Sequence, residues 1–188
     1  DDAAAGARDP EIAAAGRRLG WLAPFLRPSE LATDTASSID TVLHAVDWYI
    51  RESDSSPDCI MLLQATSPLR DPTVLRDGLK LLDQDAMLNA VISVSQVQTS
   101  PANIYTNSSA GFLTALGSPG EKNPVFVPNG ALYIIRTPAL YTQRTFVPTG
   151  TRGIVMPDSR SIDIDTKQDW EIAEALIDYF HEQPAENQ

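Results

Sequence analysis

At 188 residues with 43% apolar side chains, the chain has the size and composition of one folded domain with a sizeable core. Its 25 acidic residues outnumber 14 basic ones, and the formal net charge of -11 argues against nucleic acid or an anionic membrane as partner. The single cysteine, Cys59 in "CIMLLQ", excludes an intrachain disulfide, and no apolar run approaches the ~20 residues that span a bilayer.

The chain starts "DDAAAGARDP", with no methionine and no strand before the first helix, so the expectation is a domain incomplete at its N-terminus. "DPEIAAAGRRLG" reads as a helix, with Asp9 and Pro10 at its start and Gly20 beyond its end. "LAPFL" is a short extended run. In "SSIDTVLHAVDWYI" the apolar residues Ile39, Val42, Leu43, Val46 and Ile50 keep the spacing of one helix face. Ser37 is its cap, with Asp40 three residues on as a capping-box partner.

"CIMLL", from Cys59 to Leu63, is a continuous apolar run, as expected of a strand buried on both faces of a parallel sheet. The turn "QATSPLR" follows, and Asp71-Pro72 opens a helix through about Leu82. "AVISVS" and "GALYII" are further strands. Between Gln96 and Pro128 the pattern breaks into short alternating pieces with Gly, Ser and Pro turns, so residues 97–128 are expected to form a hairpin insertion for a partner subunit or a substrate. Thr166 caps the last helix, with Asp169 at its third position and Trp170, Ala173, Leu176, Ile177 and Phe180 on its apolar face. Strands alternating with helices predict a three-layer α/β domain, 1–188, with a largely parallel sheet.

Ligands in open α/β sheets bind outside the carboxyl ends of strands, where Gln64, Thr66 and Ser67 of "LLQATSPLR" would lie. The same residues also suit an ordinary strand-to-helix loop. "FLRPSELATDTASSID" places Arg27 in a turn and hydroxyls ahead of a helix, which reads either as an anion-facing helix start or as simple capping. "GSPGEKNP" lacks the spacing of a phosphate loop and reads as a turn. His44 and His181 carry no metal-ligand pattern. Absence of a Ser/His/Asp arrangement or a C-x-x-C moves nucleophilic and zinc chemistry down the order.

The acid pair in "SRSIDIDTKQDWEIAEAL" is the sharpest feature. A period of two puts Asp163 and Asp165 on one face of a short strand and Ile162 and Ile164 on the other. Asp is a poor strand former and like charges on one face repel. Two readings stand: a solvated edge, or a Mg²⁺ site of a few carboxylates completed by phosphates and water.

Taken in series, "LRPSELATDTASSID", "LLQATSPLR", "PNGALYI" and "SIDIDT..DWEIAEAL" resemble the cytidylyltransferases that activate acylneuraminic (sialic) and related nonulosonic acids. The resemblance covers essentially the whole chain. It implies a Rossmann-like nucleotide-diphospho-sugar transferase fold whose insertion builds a homodimer, in a cytoplasmic enzyme. It implies a reaction of CTP with a 2-keto-3-deoxy sugar acid, in the presence of Mg²⁺, to give a CMP-sugar and pyrophosphate. Carried over by position, Arg27 and Ser38 match nucleotide-binding residues. Gln64, Asn129, Tyr133 and Phe146 match the sugar pocket, and Asp163 and Asp165 match the catalytic, metal-binding pair.

Three departures accompany it. Family members begin with a strand and an Arg- and Lys-containing loop that holds the triphosphate, which these 188 residues do not match, so as they stand they are expected to be catalytically incompetent. Sialic-acid members place an arginine where this chain has Val127, a lysine where it has Asn103, and another arginine in the insertion that has no clear match here, Lys122 being the nearest cation. "QATSP" replaces the commoner "QPTSP". A cytidylyltransferase for a different ulosonic acid, and a non-catalytic relative used for binding or assembly, are the alternative readings.

Overall fold

The computed structural model describes residue 7 and residues 9–33, 35–118 and 123–182. These form two compact units, one of residues 1–59 and 136–148, the other of 60–135 and 149–188.

In the first unit, α1 (Pro10–Arg18) begins where Asp9 accepts a hydrogen bond from the Glu11 N–H at 2.6 Å, and Gly20 beyond its end takes a φ of +82°. Helix α2 (Ser38–Ser53) follows its Ser37 cap, whose hydroxyl accepts from the Asp40 N–H at 3.4 Å, and buries Leu43 and Val46. The capping box is half made: the Asp40 carboxylate pairs with the Arg144 guanidinium. That draws α2 toward α4 (Thr137–Gln143), where the Tyr141 hydroxyl also donates to Asp47. The α4 start is tied back by the Thr137 N–H to the Asp58 carbonyl at 3.0 Å.

The second unit holds a four-stranded sheet in the order β1 (Cys59–Leu62), β5 (Val125–Arg136), β2 (Ala90–Val97), β6 (Thr151–Val155). The sheet is mixed, which corrects the largely parallel expectation: β2 runs parallel to β6 and antiparallel to β5. Strand direction is set by the connections and not by local pattern, and the connection from β2 to β5 is the hairpin insertion. A second correction concerns "CIMLL". Every residue of β1 is only half-buried, because β1 is an edge strand and not a central one. The large apolar side chains that are fully buried in this unit belong to β2 and β5, with Val91, Leu132, Ile134 and Ile135 at the centre.

Helix α3 (Pro72–Gln84) covers this centre. Asp71 caps it through the Thr73 N–H at 2.8 Å, and Gly78 brings its backbone down on the sheet. A Cβ there would lie 2.8 Å from Ile134 Cδ1 and 2.9 Å from Leu132 Cδ2. The insertion is a hairpin as expected, with β3 (Tyr105–Asn107) antiparallel to β4 (Leu113–Ala115) and every one of these residues exposed. Helix α5 (Lys167–Glu182) is the last element among the described residues. Its apolar face is realised at Ala173, Leu176, Ile177 and Phe180, whereas Trp170 stays 55% exposed. No helix among the described residues is long and apolar enough to cross a membrane.

Candidate active site

The site is organised by an irregularity in β5. Strand β2 pairs with it from Ala90 to Ile92 and again from Val94 to Val97, but the partner jumps from Tyr133 to Pro128 across that interval. Asn129–Leu132 therefore stand opposite Ser93 alone. A bulge of this kind bends the strand and re-aims side chains, and Pro128 is tolerated there because a bulged strand forgoes ladder bonds. Gly130 takes a φ of +77°, and a Cβ on it would lie 2.3 Å from Gln64 Oε1 and 2.8 Å from Ser67 Oγ. The close approach of β5 to the "QATSP" turn thus requires glycine.

That turn is held from several directions. The Gln64 N–H donates to the Gly130 carbonyl at 3.4 Å, and the Gln64 carbonyl accepts from the Ser67 N–H and from the Arg70 guanidinium. Ser67, 1% exposed, donates its hydroxyl to the Asn129 carbonyl at 3.1 Å. Burial lowers the pKa of Arg70, whose Nε has no hydrogen-bond partner among the described residues.

Asn129 is 6% exposed, and its amide is fully engaged. Its Oδ1 accepts from Ser93 Oγ at 2.5 Å and from the Ala131 N–H at 3.3 Å. Its Nδ2 donates to Ser161 Oγ at 3.0 Å and to Ser95 Oγ at 3.3 Å. Because a backbone N–H can only donate, Ala131 fixes which end of the amide is the oxygen. Sequence reasoning assigned Asn129 to a sugar pocket and overlooked its serines. The available signal was Ser93, a hydroxyl inside the apolar run "AVISVS" at a position that turns out 0% exposed.

The acid pair follows the short 3-10 turn Asp158–Arg160. Residues 161–165 are not a strand, which corrects the expectation, yet the alternation survives: Ile162 and Ile164 are half-buried, Asp163 and Asp165 exposed. The Ile164 N–H donates to the Thr66 carbonyl at 2.8 Å, hanging the segment on the "QATSP" turn. Beyond it the capping box of α5 is complete, with Thr166 Oγ1 accepting from the Asp169 N–H at 3.2 Å and Asp169 Oδ2 accepting from the Thr166 N–H at 2.8 Å. Asp169 Oδ2 also accepts from the Thr166 hydroxyl at 2.7 Å, and that bond first, then the one from the Thr166 N–H, lowers the Asp169 pKa. Arg160 stacks over Phe180 at 3.6 Å.

Tyr133 faces the same region. Burial pushes its phenol up, the Asp163 carboxylate pushes it further, and a backbone hydrogen bond with Gly130 pulls it back. Gln64, Asn129, Tyr133, Asp163 and Asp165 accordingly all belong to one interconnected part of the second unit. Arg27, Ser38 and Phe146 belong to the first unit. There the Arg27 N–H donates to the Ala7 carbonyl at 2.9 Å, Ser38 is the exposed first residue of α2, and Phe146 is half-buried. Val127 is 47% exposed on β5 and Asn103 is exposed in the turn Pro101–Asn103. Lys122 and the three residues before it in "GSPGEKNP" lie outside the described residues. His44 packs edge-on against Phe25 at 4.9 Å, a packing role.

Could the acid pair hold Mg²⁺? The donor set is all oxygen, and the ion pairs of this unit among the described residues, Arg76–Asp77, Arg152–Asp85 and Lys167–Glu171, leave both carboxylates out. No group of three or more His, Cys, Asp or Glu suited to a metal occurs among the described residues. Two exposed carboxylates without a protein cage fit an ion that keeps water and takes phosphate oxygens. The residues fit the group.

No family model matches the chain. It is 30% identical over 179 residues to the CMP-N,N'-diacetyllegionaminic acid synthase of Legionella pneumophila, covering 92% of this chain and 76% of that one. It is 31% identical over 155 residues to an N-acylneuraminate cytidylyltransferase of Escherichia coli, covering 79% of this chain but only 36% of that longer protein. Among solved structures, CMP:2-keto-3-deoxy-manno-octonic acid synthetase complexed with CTP superposes with a TM-score of 0.64 over 95% of this chain and 81% of that one, at 15% identity. The fold is therefore a mixed α/β fold like that of this synthetase. The chain belongs to the acylneuraminate cytidylyltransferase family.

Proposed function

We propose that the protein transfers the cytidylyl group of CTP to a sialic-acid-like nonulosonic acid, giving a CMP-sugar and pyrophosphate. The observation that carries this reading is the exposed Asp163/Asp165 pair hung on the Gln64 turn, in a chain 30% identical to a CMP-legionaminic acid synthase over 92% of its length. In the reaction the sugar's anomeric hydroxyl oxygen forms a bond to the α-phosphorus. The bond from that phosphorus to the oxygen bridging to the β-phosphate breaks, pyrophosphate leaves, and the hydroxyl proton passes to solvent. Such a step asks for positioning and charge neutralisation more than for a covalent intermediate.

Roles follow from position and chemistry. Arg27 and Ser38 serve the nucleotide, Arg27 as a donor to anionic oxygens and Ser38 at a helix start with free N–H groups. Gln64, held by its backbone at both ends, presents its side chain to the sugar, with Tyr133 and Phe146 as further sugar contacts. The raised Tyr133 pKa keeps the phenol protonated, a hydrogen-bond donor and not a base. Asp163 and Asp165 hold Mg²⁺, which when bound offsets phosphate charge. The hairpin insertion serves a homodimer, and residues 1–188 belong to a single cytidylyltransferase domain of a cytoplasmic enzyme.

A second reading concerns the substrate alone. Val127 offers no bidentate donor for a sugar carboxylate, which favours an ulosonic acid other than N-acetylneuraminate. The test is pyrophosphate release by the full-length protein with CTP and Mg²⁺ across a panel of nonulosonic acids. Release with at least one acid supports the proposal; none across the panel ends it. Calorimetric titration with CTP and Mg²⁺ then tells a non-catalytic binder, which gives heat, from a purely structural relative, which gives none.

A further inference from the structure

We infer that Asn129 acts as a positioning residue, which fastens the acidic segment to the sheet through Ser161. The inference rests on the reading of Asp163 and Asp165 given above. Its basis is the direction of each hydrogen bond. The Leu132 N–H donates to Ser93 Oγ at 2.8 Å, and that hydroxyl donates its own proton to Asn129 Oδ1 at 2.5 Å, a much shorter contact than its other acceptor, the Leu132 carbonyl at 3.4 Å. At the other end Ser161 Oγ donates to the Pro157 carbonyl at 2.8 Å, so it accepts from Asn129 Nδ2 at 3.0 Å. The Ala131 N–H takes the remaining acceptor position of the amide and Ser95 the remaining donor.

An amide has two donors and two acceptor positions, and here all four are used. The same bonds run from the β2–β5 bulge to Ser161, two residues before Asp163. With the Ile164 N–H on the Thr66 carbonyl, this gives the non-strand segment two fixed points on either side of Asp163. A carboxylate on irregular backbone needs such anchors if it is to meet a cation at set geometry.

The experiment compares full-length wild type with Ser161→Ala and Ser161→Thr. In Ser161→Ala, which leaves a donor of Asn129 unpaired, the melting temperature should fall by a few degrees, and the Ile164 amide should exchange with deuterium about tenfold faster or more beyond any change at the Val91, Ile92 and Ile134 amides. With CTP and the best sugar acid, kcat should fall about tenfold or more with the KM for the sugar acid within about twofold, since the anchor is not a sugar contact. Ser161→Thr keeps the hydroxyl and should restore both readouts. An unchanged Ile164 exchange rate in Ser161→Ala, a rise confined to KM, or failure of threonine to rescue overturns the inference. The two failures are separable. If wild type releases no pyrophosphate with any acid the proposed reaction falls, and the exchange rates still decide whether Ser161 anchors the segment.

Discussion

Ile164 donates its backbone N–H to the carbonyl of Thr66 at 2.8 Å, so the segment bearing two exposed aspartates is fastened to the turn bearing Gln64. Neither element is regular structure, and each supplies what the other lacks: one a hydrogen-bond acceptor, the other a pair of carboxylates. Asp163 and Asp165 make none of the ion pairs found among the described residues of this unit, and both are exposed. Replacing Asp165 with Asn should therefore leave stability within about 0.5 kcal/mol of wild type, as for most surface changes. CTP-dependent pyrophosphate release should fall by about two orders of magnitude. Steady-state kinetics beside a thermal melt is the check, and unchanged turnover returns the pair to a solvated edge.

Gly130 makes a separate prediction. Its φ of +77° and the 2.3 Å separation of an added Cβ from Gln64 Oε1 mean that Gly130→Ala strains the backbone and displaces the glutamine side chain together. The expected destabilisation is about 1–3 kcal/mol, readable by urea denaturation. The KM for the sugar acid should rise more than the KM for CTP, because Gln64 belongs to the sugar side of the proposed site. Equal stability of variant and wild type would show that the bulge is not as tight as described.

The caps were legible because they are local. Asp9-Pro10, Asp71-Pro72 and Thr166 with Asp169 each mark a helix start within four residues, and all three helices begin there. What lay beyond reach depends on residues far apart. Asp40 reads as a capping-box acid, yet Arg144, 104 positions away, takes its carboxylate. The insertion reads as running to Pro128 and the next strand as starting at Gly130, yet Val125–Pro128 pairs with Val94–Val97 of β2 as the first part of β5. Short elements without a period, α4 and β6, gave no signal at all. In the site, the acid alternation was visible, but that Asn129 spends its amide on serines at positions 93, 95 and 161 was not.

Tyr141 carries a pH dependence. Burial, then the hydrogen bond to Asp47 and that residue's charge, push its phenol up to about 12. A phenol held above its unfolded value of about 10 stabilises the fold fully below that pH, and the contribution is lost as pH rises through about 12. The stability difference between wild type and Tyr141→Phe should thus stay level up to about pH 10 and shrink above it. In Asp47→Asn the tyrosinate absorbance of this residue should appear at lower pH. Superimposable titrations of wild type and Asp47→Asn would show that the carboxylate does not hold the phenol.

The hairpin is the last point at which the fold makes a demand. Two strands of three residues each are marginal in water on their own, and β3 and β4 are exposed throughout. They and their loop nevertheless carry Tyr105, Phe112, Leu113 and Leu116, exposed by 53%, 74%, 66% and 62%. The base is well tied, with the Leu116 N–H on the Ile104 carbonyl at 2.7 Å and the Gly117 N–H on the Pro101 carbonyl at 3.1 Å, so the apolar tip is held out in a set place. A second copy of the chain is the proposed cover. Changing Phe112 and Leu113 together to Asp should weaken self-association about 30-fold or more, the loss expected when a central apolar anchor is removed. Sedimentation velocity over a concentration series reads this, while amide exchange in β2 and β5 reports that the sheet is intact. A wild-type protein that stays monomeric across the series, or a double variant that associates as tightly, removes the dimer from the proposed function.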